Sequence, residues 1–226
     1  MTSKERILDA AISVFARKGR HGARMEEIAS LAHINKAMIY YFYHSKDNLY
    51  LEVLKFVHFE TVMSISGIIE KAIESGQGHE YVLKGFISAM ISYFSENTYH
   101  TRILIEAMAS GSEEMSQSIK ELKSRISDKR SSLVFNEFFE KGKADKIIRH
   151  DVDIRHMSIS IIGMSMIYFF SKSITDAMDI EVVDEKHFLE KRMESIIDLV
   201  LGSIIIKDNK NLNFSNISLE ENPVNQ

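Results

Sequence analysis

A single proline stands in this chain, at position 223, so the 222 residues before it run without one. Proline lacks an N–H and its ring clashes with the preceding turn of a helix, so its absence leaves long helices unbroken. Only ten glycines accompany it. Sandwiches and barrels consume many turn residues, and a chain this poor in them points to an all-α fold. Its 226 residues suffice for one or two ordinary domains, and 45% hydrophobic with 27% charged residues is a globular rather than a disordered balance. Cysteine is absent, which removes disulfides, thiol nucleophiles and cysteine-ligated zinc at once. The first residues carry charge with no long apolar run behind them. No signal peptide is expected, and a cytoplasmic location is.

Helical spacing and turn residues divide the chain. Thr2 and Glu5 fit a capping box, and Ile7, Leu8, Ala11, Val14 and Phe15 follow at helical spacing until Gly19, which predicts a helix over about 4–17. Two short helices are expected at about 25–31 and 36–42, the second capped by Asn35. Ser45 or Asp47 caps the next. Longer helices are expected at about 48–74, 79–96, 99–110, 113–141, 152–175 and 185–206, broken at Ser75–Gly78, Asn97-Thr98, Gly111-Ser112, Gly142-Lys143 and near 179–184. Residues 207–226 are polar and rich in asparagine and read as a frayed tail. Met157–Phe170 is almost entirely apolar, but its roughly 14 residues fall short of the 18–20 a membrane span needs, so no membrane partner is expected. It reads as a helix buried on most sides, with small residues that admit another helix closely. Leu189, Met193, Ile196, Ile197, Val200 and Ile204 stripe the last segment. These two helices can serve one core, or pair with the same helices of a second copy.

Charge is unevenly spread. Residues 1–50 hold eight basic and five acidic residues, a net of +3, whereas the remainder carries −7. A basic end on an acidic body suits a polyanion at that end only. Within it, Arg24–Leu49 reads as two short helices joined by a tight turn at His33-Ile34. Ala29 is small where the helices cross, and Ile34 and Ile39 are apolar anchors. That is a helix-turn-helix. Its second helix would present Lys36, Ala37, Met38, Tyr40 and Tyr41 to the major groove, and Lys46, opening the next helix, can meet a phosphate.

Residues 6–49 resemble the N-terminal domain of the TetR family of bacterial transcriptional regulators. The likeness runs through Ile7-Leu8-Asp9-Ala10-Ala11, Phe15, Gly19, Met25, Ile28-Ala29, Ala32, Ile34, Lys36, Ile39-Tyr40-Tyr41 and Ser45-Lys46-Asp47-Asn48-Leu49. The rest of the chain is similar, more loosely, to the family's helical ligand-binding domain. Departures are visible. Arg24 replaces a capping Ser or Thr, His33 replaces the glycine of the turn and is strained there, Ala37 replaces a further glycine, and Tyr43 takes a buried phenylalanine position. The resemblance implies a DNA-binding set of Arg24, Asn35, Lys36, Ala37, Met38, Tyr40, Tyr41 and Lys46. Tyr40 and Lys46 would hold phosphates, and Lys36, Met38 and Tyr41 would face bases. The plainer alternatives are a half-buried core tyrosine and a solvated lysine.

The body is rich in methionine and aromatic residues, which either fill a helical core or line a cavity for an apolar ligand. Taken with the resemblance, Phe59, Met63, Met90 and Phe94 are candidate lining residues, as are Met108, Phe138, Met164 and Tyr168. His58, His100 and Arg102 are polar candidates. No catalytic motif, cofactor-binding loop or metal-ligand set is present: there is no GxSxG, no phosphate-cradling glycine loop, no HExxH and no paired Glu-x-x-His. An enzyme is not expected, and neither is a cofactor or a metal.

The expected organisation is a DNA-binding head (1–47), a ligand-binding and dimerisation body (48–206) and the tail (207–226). The expected protein is a ligand-responsive regulator, more specifically a repressor. A homodimer paired through 152–175 and 185–206 would grip a palindromic operator in double-stranded DNA, and a small apolar or amphipathic effector would release it. Coupling would run through the helix at 48–74. The alternative is a helical ligand carrier or interaction module with a vestigial DNA-binding head.

Overall fold

The computed structural model describes residues 1–111, 113–127, 130–170, 175 and 177–206. The expected tail, Ser112, Lys172 and residues 171–174 of the expected dimer helix lie outside the described residues. Ten helices appear among those described: α1 (Ser3–Gly22), α2 (Met25–Leu31), α3 (Lys36–Tyr43), α4 (Lys46–Glu74), α5 (His79–Glu96), α6 (Thr98–Ser110), α7 (Glu113–Ser127), α8 (Arg130–Ala144), α9 (Ile154–Phe170) and α10 (Glu185–Ile204). The described residues form no strand beyond one antiparallel bridge, Ile148 to Ile205.

Local chemistry sets the starts. Thr2 and Glu5 form the capping box of α1, with Thr2 N–H donating to Glu5 Oε2 at 2.8 Å. Ser45 caps α4 by accepting from the Asn48 N–H at 3.0 Å, which decides between it and Asp47. Gly111 closes α6 in the left-handed region, at φ 56°.

Two expectations change. The first helix runs beyond 17 to Gly22 because Gly19 (φ 68°, ψ 172°) makes a kink there, not an end. Of the helix expected over 113–141, the structure describes two stretches, α7 and α8, both packed against α4, and residues 128–129 between them lie outside the described residues. Gly142 does not break α8. It is needed for packing, since a Cβ there would lie 2.6 Å from atoms of both His79 and Ile148.

A head core joins α1 to α4 through Ile7, Phe15, Ile28, Ile39 and Leu49, all fully buried. Phe15 meets the Tyr50 ring edge-on, centroids 5.1 Å apart. The body wraps α4 with α5, α6, α7 and α8, while α9 and α10 pack on α5 and on each other. Helix α9 is not buried on most sides. Ile161, Ser165, Met166 and Tyr168 face the core, but Ile159 is 68% exposed and Ile167, Phe170 and Gly163 are also exposed. On α10, Leu199 is 62% exposed beside Ser195, Gly202 and Ser203. These two helices therefore carry an apolar, small-residue surface in the single chain.

Candidate functional site

The helix-turn-helix has the expected bounds to within a residue. α2 opens on Arg24, whose side chain makes no capping bond and is exposed. His33 takes a positive φ of 52°, the conformation that glycine adopts with less strain. Asn35 caps α3, its Oδ1 accepting from the Ala37 N–H at 2.9 Å, so that oxygen is committed to the helix. Beyond the cap Ala37, Met38, Tyr40 and Tyr41 are exposed, Tyr41 to 75%. Tyr43 turns inward, and its hydroxyl donates to the Lys4 carbonyl at 3.2 Å. Burial pushes that phenol up to about 12.

Two of the expected DNA-facing cations are already engaged. Lys36 pairs with Glu26 of α2 and lies 5.6 Å from the centre of the Tyr40 ring. The pairing raises the lysine and lowers the carboxyl from their ordinary values. Lys46 donates to the carbonyls of His21 and Ala23, each at 3.3 Å, and so ties α4 to the end of α1. An ammonium has three donors, so one remains for a phosphate.

Sequence reasoning missed the joint between the two regions. Beside the Gly19 kink, the Arg20 N–H donates to Glu106 Oε1 at 2.8 Å, from α1 to α6. The Arg20 guanidinium meets Glu114 at 2.6 Å and Asp47 at 3.1 Å, and lies 5.5 Å from the Tyr50 ring centre. One residue thus gathers α1, α4, α6 and α7. No local signal could have found it, because the partners are set by packing.

Below this joint the body holds a cavity of about 320 Å³. α4 supplies one wall from His58 through Thr61, Ile65 and Ile69 to Glu70 and Ile73. Of the eight candidate lining residues, Met90, Phe94 and Met108 lie on it, joined by Phe86, Leu104 and Met166. Phe59, Met63, Phe138, Met164 and Tyr168 do not. Successive helical residues are about 100° apart, which turns Phe59 and Met63 off the wall formed by His58 and Val62. The Arg125 guanidinium instead sits 3.9 Å from the Phe59 ring centre. Phe138 stacks on His79 at 4.1 Å, and the Tyr168 hydroxyl donates to Glu185 at 3.0 Å. Met164 is two residues from Ile162 and from Met166, on the other side of α9.

Of the polar candidates, His58 lines the cavity and contacts Ser118 Oγ at 3.2 Å. His100 meets the Tyr93 hydroxyl at 2.9 Å, and that hydroxyl also accepts from Thr61 at 3.1 Å. Burial holds both imidazoles below their ordinary values, with Glu60 partly opposing at His100. Arg102 lines a separate, more polar groove between α5, α6, α9 and α10. Among the described residues no group of three or more His, Asp or Glu side chains could hold a metal ion, and no helix is long and apolar enough to cross a membrane.

Known proteins resemble this chain in sequence and in fold. The profile of bacterial regulatory proteins of the tetR family matches residues 7–53, and that of the tetracyclin repressor-like C-terminal domain matches residues 81–200. The chain is 27% identical over 174 residues to the HTH-type transcriptional repressor NicS of Pseudomonas putida, covering 76% of each chain. It is 24% identical over 202 residues to the HTH-type transcriptional regulator RutR of Escherichia coli K12, covering 89% of this chain and 90% of that one. The solved structure of the regulator FadR from Bacillus subtilis, in complex with stearoyl-CoA, has the same fold. It superposes with a TM-score of 0.66 at 19% identity, over 89% of this chain and 99% of that one.

Proposed function

Since this chain belongs to the TetR family of bacterial transcriptional regulators, we propose that it is a repressor whose operator grip is released by a small apolar or amphipathic effector. Residues 1–47 form the head and 48–206 the body. Tyr40 and the remaining donor of Lys46 take phosphates, while Lys36, Met38 and Tyr41 meet base edges. Arg24 adds a phosphate contact from the exposed start of α2. The exposed apolar strip of α9 and α10 pairs with its copy, which sets two recognition helices about 34–36 Å apart on a palindromic site.

One observation carries this reading. Helix α4 opens at Ser45-Lys46, directly after α3, and the same helix walls the cavity from His58 to Ile73. Whatever fills the cavity presses on the element that positions the head. That the FadR relative is seen with stearoyl-CoA supports an amphipathic occupant of such a cavity.

The test is fluorescence anisotropy on labelled DNA from upstream of the protein's own gene, against an unrelated duplex, across a salt series. Tight binding to the upstream DNA that survives competitor is expected, together with its loss in a Lys46→Ala, Tyr40→Phe double variant. Retained binding with an unchanged salt slope in the double variant overturns the site. No wild-type binding to either duplex at low salt, with or without candidate effectors, leaves the carrier alternative.

A further inference from the structure

The charge of the α4 cavity narrows its ligand, on the premise just given that the cavity is the effector site. Glu70 is the one acid on its described lining, and no lysine or arginine accompanies it. Among the described residues Glu70 has no hydrogen-bond or ion-pair partner, unlike Glu52, Glu106, Glu114 and Glu121 on the same body. It is half-buried, one residue from Ile69 and three from Ile73, which line the same wall. A half-buried carboxylate against such a wall has lost part of its hydration and gains no partner among the described residues. An anionic ligand head would add repulsion, and a neutral one would desolvate the carboxylate further without return. Phe86 and Phe94, also on the lining, have faces that attract cations. Of the remaining polar groups, Thr61 and Ser66 are uncharged, and burial disfavours the charged form of His58. The wall is also long: His58 to Ile73 spans about 22 Å of helix at 1.5 Å per residue.

We propose that the cavity takes an elongated monocationic amphiphile, an organic amine or quaternary ammonium, with its charge at Glu70 and its apolar body laid along α4 toward His58. Met90, Met108 and Met166 then give the body adaptable contact.

The test is calorimetric titration of the full chain with three ten-carbon probes kept below micelle-forming concentrations: decyltrimethylammonium, decanoate and decanol. Decyltrimethylammonium is expected to bind about tenfold or more tighter than decanoate, as a partly desolvated charge pair allows. Glu70→Gln, which keeps the shape and removes the charge, is expected to cut that binding about tenfold and not to weaken decanol. Ile65→Trp, which fills the cavity, is expected to block all three probes.

Probes that Ile65→Trp blocks but that show no preference for the cation, or no response to Glu70→Gln, overturn the charge assignment and leave the cavity as the effector site. Probes that bind equally well to a folded Ile65→Trp overturn the cavity reading itself. No binding by any of the three overturns the proposal.

Discussion

Replacing Gly19 with alanine tests the joint between head and body. At φ 68° and ψ 172° the backbone there sits in a region that only glycine occupies freely, and a side chain costs about 1–3 kcal/mol. The new Cβ would also lie 2.8 Å from Glu106 Oε1. That oxygen is the acceptor for the Arg20 N–H, so relieving the clash breaks a hydrogen bond to a charged group, worth about 1.5–3 kcal/mol. Stiffening the unfolded chain returns about 0.4–1 kcal/mol. The expected net loss is about 1.5–5.5 kcal/mol. The assay is urea unfolding at one fixed protein concentration, because the stability of the proposed dimer would depend on it. A Glu106→Ala background separates the two causes. There the hydrogen bond is already gone, so the same substitution should cost only the backbone strain, and the cycle should show about 1.5–3 kcal/mol of coupling. A Gly19→Ala protein within about 0.5 kcal/mol of wild type would refute both the kink and its role.

Gly142→Ala should destabilise by about 1–3 kcal/mol, since its Cβ would meet the buried His79 ring and Ile148 at 2.6 Å, whereas Gly85→Ala, with nothing within 4 Å, should gain up to about 1 kcal/mol of helix propensity. Parallel denaturant curves of the two variants decide it. Glu26→Gln should free Lys36 for a base edge and strengthen binding to the upstream DNA more than to an unrelated duplex; equal gains on both would show that Lys36 reads no base. Stability should fall with pH below the ordinary histidine value of 6.5, because His58 and His100 have lowered values when folded and the unfolded chain then binds more protons. Their contribution is complete above 6.5 and is lost as pH drops toward the folded values. His58→Gln should flatten the unfolding free energy measured from pH 7.5 to 5.5.

The helix-turn-helix was legible because its signals are local. A cap at Asn35, a tight turn at His33-Ile34 and apolar anchors at Ile34 and Ile39 all fall within a dozen or so residues. The cavity was legible only in part. Methionine and phenylalanine suit a core and a cavity equally, so composition could single out Met90 and Met108 but could not set the rotation of α4 that puts His58 on the wall and Phe59 off it. The clamp by Lys46 was hidden for a different reason. It depends on where α1 stops, which depends on the Gly19 kink, which is held by a carboxylate 86 residues from Arg20.

The 29-residue α4 is also a lever, and its gain can be worked out. From Val62, near the middle of the cavity wall, to Lys46 is about 24 Å of helix. A tilt of about 5° at the wall displaces the Lys46 end by about 2 Å, and two opposed levers in the proposed dimer change the head separation by about 4 Å. Successive major grooves offer one spacing near 34–36 Å, so a change of that size moves a recognition helix off its base edges. No proline falls between Lys46 and Val62 to absorb the motion, and the one glycine of α4, Gly67, lies on the far side of the fulcrum. Amplification of this kind needs no new contact at the DNA, only a stiff arm with its load at one end and its push near the other.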